Sequence, residues 1–334
     1  MTQSRALLWA RSILRQFHIK WQRPAAVSLA KKYGLENYQV YPDGRNLSAA
    51  FICSGPHRQF RISRETRVAS LGSCFAREIK RYLLEHSFNY VQTEHNEWSK
   101  HSSCAWERVY TIPNIRQIFE YSLSESIDPR RLYSVQGEHR DLMRYRIAYK
   151  GTRSEALADL KAHSICSKAA LSTCDVLLIT VGQNEVWYDF QNEIYLAQRP
   201  HNDMARQCRL LRRTVDENMQ DLRAIRSMFS RLNPAGTILV TLSPVPSTAT
   251  FSDANVVQQS LLNKAILRVA IDAFLAEFPE VLYFPSFEIV TSCQQFPFER
   301  DNLHVRPEVV GAIMRAFEAR YCGRSPNRGL DQDC

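Results

Sequence analysis

The sequence predicts an α/β protein in which helices cover a parallel sheet. From residue 66 onward, short apolar runs with strand composition alternate with segments of helical periodicity. The clearest run, "TCDVLLITVG" (173–182), is continuously apolar and ends in glycine, as is typical of a strand buried on both faces. A chain of 334 residues is long enough for one large domain of this class.

The alternation extends from about residue 66 to residue 321. Apolar runs predict strands at residues 66–72, 173–182 and 237–244, and residues 280–290 supply the last strand and its exit. Apolar residues spaced by three and four predict helices at residues 74–86, 206–232 and 256–277, and a last helix from Pro307. The motif "NPAG" ends the second of these helices, and a proline follows the strand at 237–244.

The positive charge of the chain is concentrated at its N-terminus. The formal net charge is +9, and residues 1–35 contain seven Lys or Arg residues and no acid, which leaves 36 basic and 34 acidic residues elsewhere. We therefore predict a basic arm or extension over residues 1–60, a domain over 61–322 and a flexible tail over 323–334. The arm could bind an anionic membrane surface as an amphipathic helix, or it could be a solvated arm or a helix packed on the body.

Several classes of protein are not indicated. No apolar run reaches the roughly 18 to 20 residues of a membrane-spanning helix, and "ALLWARSIL" (6–14) lacks the pattern of a secretory signal. The nine cysteines include no Cys-x-x-Cys, so we expect no disulfide framework and no metal site. No nucleic-acid-binding motif is present. We expect a cytoplasmic location, with peripheral binding to the inner membrane if the arm contacts lipid.

Polar residues with catalytic potential follow the predicted strands, where ligands of parallel sheets bind. Ser73 follows the first strand, and a serine nucleophile requires a base oriented by a carboxylate, for which Asp301 and His304 have suitable spacing. Gly182 and Asn184, in "TVGQNEVW", could donate hydrogen bonds to an oxyanion. Each residue also has a structural interpretation, since Ser73 could be a helix cap and His304 an exposed histidine.

Six motifs occur in an order that resembles the GSCFA family. They are "LGSCFA" (71–76), "ITVGQNEVWYD" (179–189), "ILVTLSPVP" (238–246), "NKAILRVA" (263–270), "YFPSFEIV" (283–290) and "RDNLHVRPE" (300–308). That family is similar to the SGNH, or GDSL-like, hydrolases and is associated with bacterial surface-polysaccharide genes. The resemblance implies a single three-layer α/β/α domain with Ser73 as nucleophile and with Asp301 and His304 as orienting acid and base. It also implies that Asn184 and the N–H of Ser73 bind the oxyanion, and we add Gly182 to that site.

The sequence departs from the SGNH pattern at two positions. SGNH hydrolases usually have a second-block glycine whose N–H completes the oxyanion hole, whereas "CAWERVYTIPN" (104–114) has Trp106, Glu107 and Arg108. The third-block motif usually ends in Asn-Asp, but here Asn184 is followed by Glu185.

The resemblance implies a serine esterase or O-acyltransferase that adds or removes acyl groups, such as acetyl, on a surface-polysaccharide precursor. The reaction would pass through an acyl-Ser73 intermediate. Trp187 and Tyr188 could stack on sugar faces, or they could belong to a small structural core. No cofactor is expected for hydrolysis, and acyl-CoA is a possible donor for transfer. The alternatives are a non-catalytic carbohydrate-binding or scaffolding protein and, as a minor variant of the enzyme, Cys74 as nucleophile.

Overall fold

The computed structural model describes residues 30–42, 46–124 and 126–322. Most of the predicted basic arm and the whole predicted tail lie outside these residues. The chain divides into two units, with the boundary between His57 and Arg58. In the first unit, the short helix α1 (Ala49–Ile52) begins after Ser48, whose hydroxyl accepts a hydrogen bond from the N–H of Phe51.

The second unit contains the predicted alternation of strands and helices. Its strands are β1 (Val68–Gly72), β2 (Leu132–Val135), β3 (Glu138–Asp141), β4 (Ala148–Lys150), β5 (Val176–Val181), β6 (Glu185–Asp189), β7 (Ile194–Leu196), β8 (Cys208–Arg212), β9 (Thr237–Leu242) and β10 (Leu282–Tyr283). Its helices are α2 (Cys74–Glu85), α3 (Ile112–Leu123), α4 (Arg153–Thr173), α5 (Val215–Leu232), α6 (Val256–Glu277), α7 (Ser286–Cys293) and α8 (Pro307–Tyr321).

The central sheet is parallel and has the strand order β1-β5-β9-β10. On the other edge of β1, Val68 forms a parallel bridge with Tyr90. Counting that segment as the second in the chain, the order is 2-1-3-4-5, which is one of the common doubly wound arrangements. The predicted mixed α/β fold with a parallel sheet is confirmed.

The strands are buried because their apolar side chains face helices on both sides. Helices α3 to α6 pack against one another, while α8 packs against α2 and α7. Alternate residues of the strands, among them Leu71, Ile179 and Val240, join the first helix group in the largest apolar cluster. This core fixes the carboxyl ends of β1, β5 and β9 next to one another.

Two small antiparallel sheets lie outside the central one. Strands β2, β3 and β4 form the first, and β7, β6 and β8 form the second. The second sheet begins directly after β5, because only three residues separate the last residue of that strand from the first residue of β6. Its position therefore extends the carboxyl edge of the parallel sheet.

One predicted boundary was wrong, and a second is defined more closely. The helix predicted at 206–232 begins only at Val215, because Cys208–Arg212 pair with β6 as a strand and the Thr214–Glu217 capping box starts the helix. Of residues 280–290, predicted as the last strand and its exit, only Leu282–Tyr283 form the strand, and the exit forms α7. Among the described residues, no helix has both the length and the apolarity needed to cross a bilayer.

Candidate functional site

Ser73 lies in a tight turn between β1 and α2. Gly72 has φ +138°, and a Cβ at this position would be 2.2 Å from the carbonyl oxygen of Thr180, so only glycine fits. Ser73 is the N-cap residue of α2, but its hydroxyl makes no capping hydrogen bond. The Oγ instead lies 3.2 Å from Oγ1 of Thr180. Ser73 is thus not a conventional helix cap. The residue is buried, with 1% of its surface exposed.

Gly182 keeps space open beside Ser73. A Cβ on Gly182 would be 2.9 Å from Cβ of Ser73 and 3.6 Å from its Oγ. The ring of Tyr110 borders the same space, 3.6 Å from that Cβ position. The Tyr110 carbonyl accepts hydrogen bonds from the N–H groups of Gly182, at 3.0 Å, and Gln183, at 2.8 Å. The strand end after β5 therefore shapes the surroundings of the predicted nucleophile.

The three predicted oxyanion donors all donate to acceptors within the protein. The N–H of Ser73 donates to the carbonyl oxygen of Thr180, at 3.1 Å, and to its Oγ1, at 2.8 Å. The N–H of Gly182 donates to Tyr110, as described above. Nδ2 of Asn184 donates to the carbonyl of Arg213 at 2.7 Å. Because an amide has two N–H groups, this bond leaves the second one of Asn184 for another acceptor.

Segment 104–114, where the SGNH pattern has a glycine, retains a glycine-like backbone. Glu107 has φ +56°, in the left-handed region that glycine favours. The N–H of Val109 donates to the carbonyl of Gly72 at 2.7 Å, so this segment lies against the Gly72–Ser73 turn. The backbone N–H groups of Glu107 and Arg108 donate no hydrogen bond to any residue that the structure describes. They are free backbone donors one and two residues before Val109, which contacts the Gly72–Ser73 turn.

Asp301 and His304 are brought together in the loop before α8. Oδ2 of Asp301 is 2.5 Å from Nδ1 of His304, and Oδ1 accepts the N–H groups of Leu303 and His304. The hydrogen bonds from the His304 ring and these N–H groups lower the pKa of Asp301 to about 2. The His304 side chain is 72% exposed and makes no hydrogen bond to Ser73. The structure therefore forms the acid–base pair but does not join it to the predicted nucleophile.

Lys264 is a buried residue near the site that sequence reasoning did not single out. Its Nζ donates to the carbonyl of Gly182 at 2.6 Å and to that of Ser243 at 2.7 Å. Burial lowers its pKa to about 7. The side chain thus ties together the backbone beyond β5 and β9. The only signal in the sequence was its place in the motif "NKAILRVA".

Cys74 lies next to Ser73 but has unfavourable electrostatics for a nucleophile. Burial raises the pKa of its thiol, although Arg108 and Lys264 oppose the increase. A raised pKa decreases the thiolate fraction at neutral pH, and the thiolate is the reactive form. This argues against Cys74 as the nucleophile.

One group of side chains could hold a metal ion. Within the described ranges, only Glu94, Cys104 and His163 bring three potential ligand atoms within 4.8 Å of one another. Oε2 of Glu94 is 2.8 Å from Nδ1 of His163 and 2.9 Å from Sγ of Cys104. These ligand types suit Zn²⁺, but the three side chains already satisfy one another as hydrogen-bond partners. The donor set fits a metal without requiring one.

A crevice of about 590 Å³ lies beside the Ser73 region. Tyr110, which borders the space between Gly182 and Ser73, lines the crevice together with Gln183 and Trp187. Tyr188, predicted with Trp187 to bind sugar, does not line the crevice. Its ring packs against that of Tyr195, with centroids 4.8 Å apart.

Comparison with known protein families matches the GSCFA family over residues 67–317. The chain belongs to the GSCFA family. The match includes Ser73, Gly182, Asn184, Asp301 and His304, and the fold elements that carry them. It confirms the family resemblance on which the predicted site depends. A search of curated proteins found no match to this GSCFA chain.

Two solved structures were compared with the GSCFA chain. One, from Streptococcus pneumonia, is described as a platelet activating factor; it is 12% identical, with a TM-score of 0.36, and the alignment covers 92% of this chain and 98% of the other. The second is an acetyl xylan esterase, Est2A, from the rumen bacterium Butyrivibrio proteoclasticus. It is 11% identical, with a TM-score of 0.28, and the alignment covers 68% of this chain and 57% of the other. At these TM-scores neither likeness carries an argument about function.

Proposed function

We propose that this chain is an SGNH-type serine esterase or O-acyltransferase that acts on carbohydrate through an acyl-Ser73 intermediate. The observation that carries the proposal is the Gly72–Ser73 turn. Gly72 is required by the backbone of the turn, and Gly182 leaves space beside the serine at the carboxyl edge of the parallel sheet. The hydroxyl of Ser73 does not cap the helix that follows. A serine with only a capping role would not need that space.

The chemistry follows from the residues at this edge. Oγ of Ser73 attacks the ester carbonyl, and His304 accepts the hydroxyl proton and returns it to the leaving alcohol. Asp301 holds Nδ1 of His304 and stabilises the imidazolium that forms. Water or a sugar hydroxyl then gives its proton to His304 and attacks the acyl carbon, and His304 returns the proton to Oγ of Ser73 as the acyl–Oγ bond breaks. His304 must approach Ser73 when substrate binds, and catalytic hydrogen bonds often tighten only in the complex.

The oxyanion of the tetrahedral intermediate needs donors that are not already committed. The second amide N–H of Asn184 and the backbone N–H groups of Glu107 and Arg108 meet this requirement. The left-handed backbone at Glu107 supports a role for this segment in place of the usual glycine. The N–H groups of Ser73 and Gly182 would first have to leave Thr180 and Tyr110.

The substrate and the cellular setting are part of the same proposal. The association of the family with surface-polysaccharide genes supports a polysaccharide precursor as acceptor or substrate. Acyl-CoA would serve as donor if transfer rather than hydrolysis is the reaction. The proposed location is cytoplasmic, with the basic N-terminal arm binding the anionic inner membrane, which vesicle sedimentation with and without residues 1–35 would test.

A fluorophosphonate probe followed by mass mapping tests the mechanism. We expect covalent labelling at Ser73, no labelling of Ser73→Ala and at least tenfold slower labelling of His304→Ala, because general-base catalysis typically contributes 10²- to 10⁴-fold. Ser243→Ala is the matched control, since Ser243 is also a buried serine beyond a strand of this sheet. Folded protein that remains unlabelled at Ser73 would contradict the mechanism. Labelling that survives Ser73→Ala but responds to a thiol reagent would assign the role to Cys74.

The second candidate is a non-catalytic carbohydrate-binding or scaffolding protein of a polysaccharide assembly. It is favoured by the hydrogen bond between Ser73 and Thr180, by the lack of one between Ser73 and His304, and by the committed oxyanion donors. The same labelling experiment separates the candidates, because a binding protein would not react at Ser73 while still binding carbohydrate.

A further inference from the structure

The crevice beside Gly182 carries positive charge that the protein does not neutralise. Arg146 and Arg199 both line it, and neither forms an ion pair with a carboxylate in the described part of the chain. Both side chains instead lie over aromatic rings: Arg146 is 5.0 Å from the ring centroid of Tyr145, and Arg199 is 5.5 Å from that of Phe251. The guanidinium groups are therefore oriented by stacking and keep their N–H donors for a ligand.

The other charged groups of the crevice have partners. Arg140 pairs with Glu138 at 3.1 Å, and the buried Asp141 accepts from Arg131 and Arg144. Glu185 accepts hydrogen bonds from Oγ1 of Thr250, at 2.9 Å. The neutral hydroxyl of Thr250 does not compensate the Glu185 carboxylate, so two unpaired arginines face one uncompensated carboxylate. The crevice therefore keeps a net positive charge, which attracts anions.

Aromatic rings supply the rest of the binding surface. Trp187 and Phe251 meet edge to face at 5.7 Å, and Tyr110 and Tyr145 meet edge to face at 5.9 Å. All four residues line the crevice, and Phe251 is 53% exposed there without an apolar covering. Such rings can pack against the C–H faces of a sugar ring, while arginine forks bind carboxylate or phosphate oxygens.

We propose that this crevice binds an acidic saccharide, that is, a sugar chain bearing carboxylate or phosphate groups, and presents it to Ser73. The inference rests on the proposed function and specifies its substrate class. The placement follows from Tyr110, which lines the crevice and also borders the space between Gly182 and Ser73. A saccharide seated between the two aromatic pairs would have its acidic groups at Arg146 and Arg199 and its neighbouring residue beside Ser73.

The binding experiment uses the full chain and measures tryptophan fluorescence and calorimetric heat. The probes are tri-galacturonate for the carboxylate source, a phosphorylated galactose for the phosphate source, neutral galactotriose, and coenzyme A. We expect one acidic sugar to bind at least tenfold more tightly than galactotriose. The Arg146→Met/Arg199→Met double variant should weaken that binding by about tenfold or more, because hydrogen bonds to charged groups are lost.

Arg209→Met is the matched control. Arg209 also stacks on an aromatic ring, that of Phe190 at 5.1 Å, but it does not line the crevice. Equal binding of neutral and acidic sugars, or an equal loss in the control variant, would overturn the proposal. So would tight binding of coenzyme A with no binding of either acidic sugar.

Fluorophosphonate labelling of the same preparations keeps the two proposals apart. Labelling of Ser73 without acidic-sugar binding would contradict the substrate class and leave the esterase mechanism standing. Binding of acidic sugar without labelling of Ser73 would support the crevice and contradict the mechanism.

Discussion

The turn at Ser73 and the loop of Asp301 and His304 are held in opposite ways. Ser73 is buried, and the parallel sheet contacts it through Thr180 and Gly182. The His304 side chain is largely exposed, and its bond to Asp301 is local in sequence. The nucleophile is therefore positioned by the core of the fold, and the acid–base pair by a self-contained loop. A mutation in the first region should change stability and chemistry together, whereas one in the second should change chemistry with only a small effect on stability.

The largest expected effect is at Gly72. Gly72→Ala places a Cβ 2.2 Å from the Thr180 carbonyl at a φ of +138°, so we expect a loss of about 3 kcal/mol or more in the free energy of unfolding. Gly137→Ala is the control, because Gly137 also has a positive φ, +79°, but nothing lies within 4 Å of its Cβ position. We expect the control to cost only about 1 to 2 kcal/mol. Urea unfolding measures both, and equal losses would mean that the sheet does not constrain the turn.

Gly182→Ala should have a smaller effect on stability and a clear one on Ser73. Its Cβ would approach that of Ser73 to 2.9 Å, so we expect a cost of about 1 to 3 kcal/mol and slower fluorophosphonate labelling. Gly311→Ala is the control: the nearest atom to its Cβ position is the flexible end of Arg315 at 3.3 Å, and it lies within helix α8. Replacing that helical glycine should stabilise the fold by about 0.5 to 1 kcal/mol and leave labelling unchanged. Normal labelling of Gly182→Ala would show that the space beside Ser73 has no role.

The substitution Asp301→Asn tests whether the loop of Asp301 and His304 acts on Ser73 chemistry largely independently of fold stability. Loss of the carboxylate should slow Ser73 labelling by about 10²-fold, because His304 loses its orienting and charge-stabilising partner. The melting temperature should decrease only slightly, since the pair is exposed and such pairs contribute little to stability. Asp272→Asn, which removes another exposed ion-paired carboxylate, should change neither quantity. A large decrease in the melting temperature of Asp301→Asn would contradict the self-contained loop.

The smallest expected effect is a shift in one titration. Because the folded-state pKa of Asp301 is about 2 and its ordinary value is 3.8, its hydrogen bonds stabilise the folded state above pH 3.8, and this contribution is lost as the pH falls through about 2. Carbon-13 NMR of the carboxyl should give that midpoint. In His304→Ala the pKa should move back toward 3.8, because the bond to His304 is the main cause of the shift. An unchanged midpoint would mean that the two side chains are not paired in solution.

The sequence predicted the parallel α/β fold because continuous apolar runs closed by glycine or proline have few structural alternatives. The helix prediction was wrong at residues 206–214. The spacing of Cys208 and Leu211 suits a helix, and only the pairing of β8 with β6 makes this segment a strand. The network of Lys264 could not be predicted, because a lysine in a helix is normally solvated.

The sequence by itself determined the family, the order of the motifs and the local pair of Asp301 and His304, since three-residue spacing within one loop allows direct contact. Only the tertiary structure decided what surrounds Ser73. Thr180, Gly182 and Tyr110 are more than 30 residues away in the chain, and packing of the strands brings them to the turn. The same packing commits the N–H groups predicted to bind an oxyanion, and it creates the arginine-lined crevice. Contacts between residues distant in sequence depend on strand register and helix packing, which no local pattern encodes.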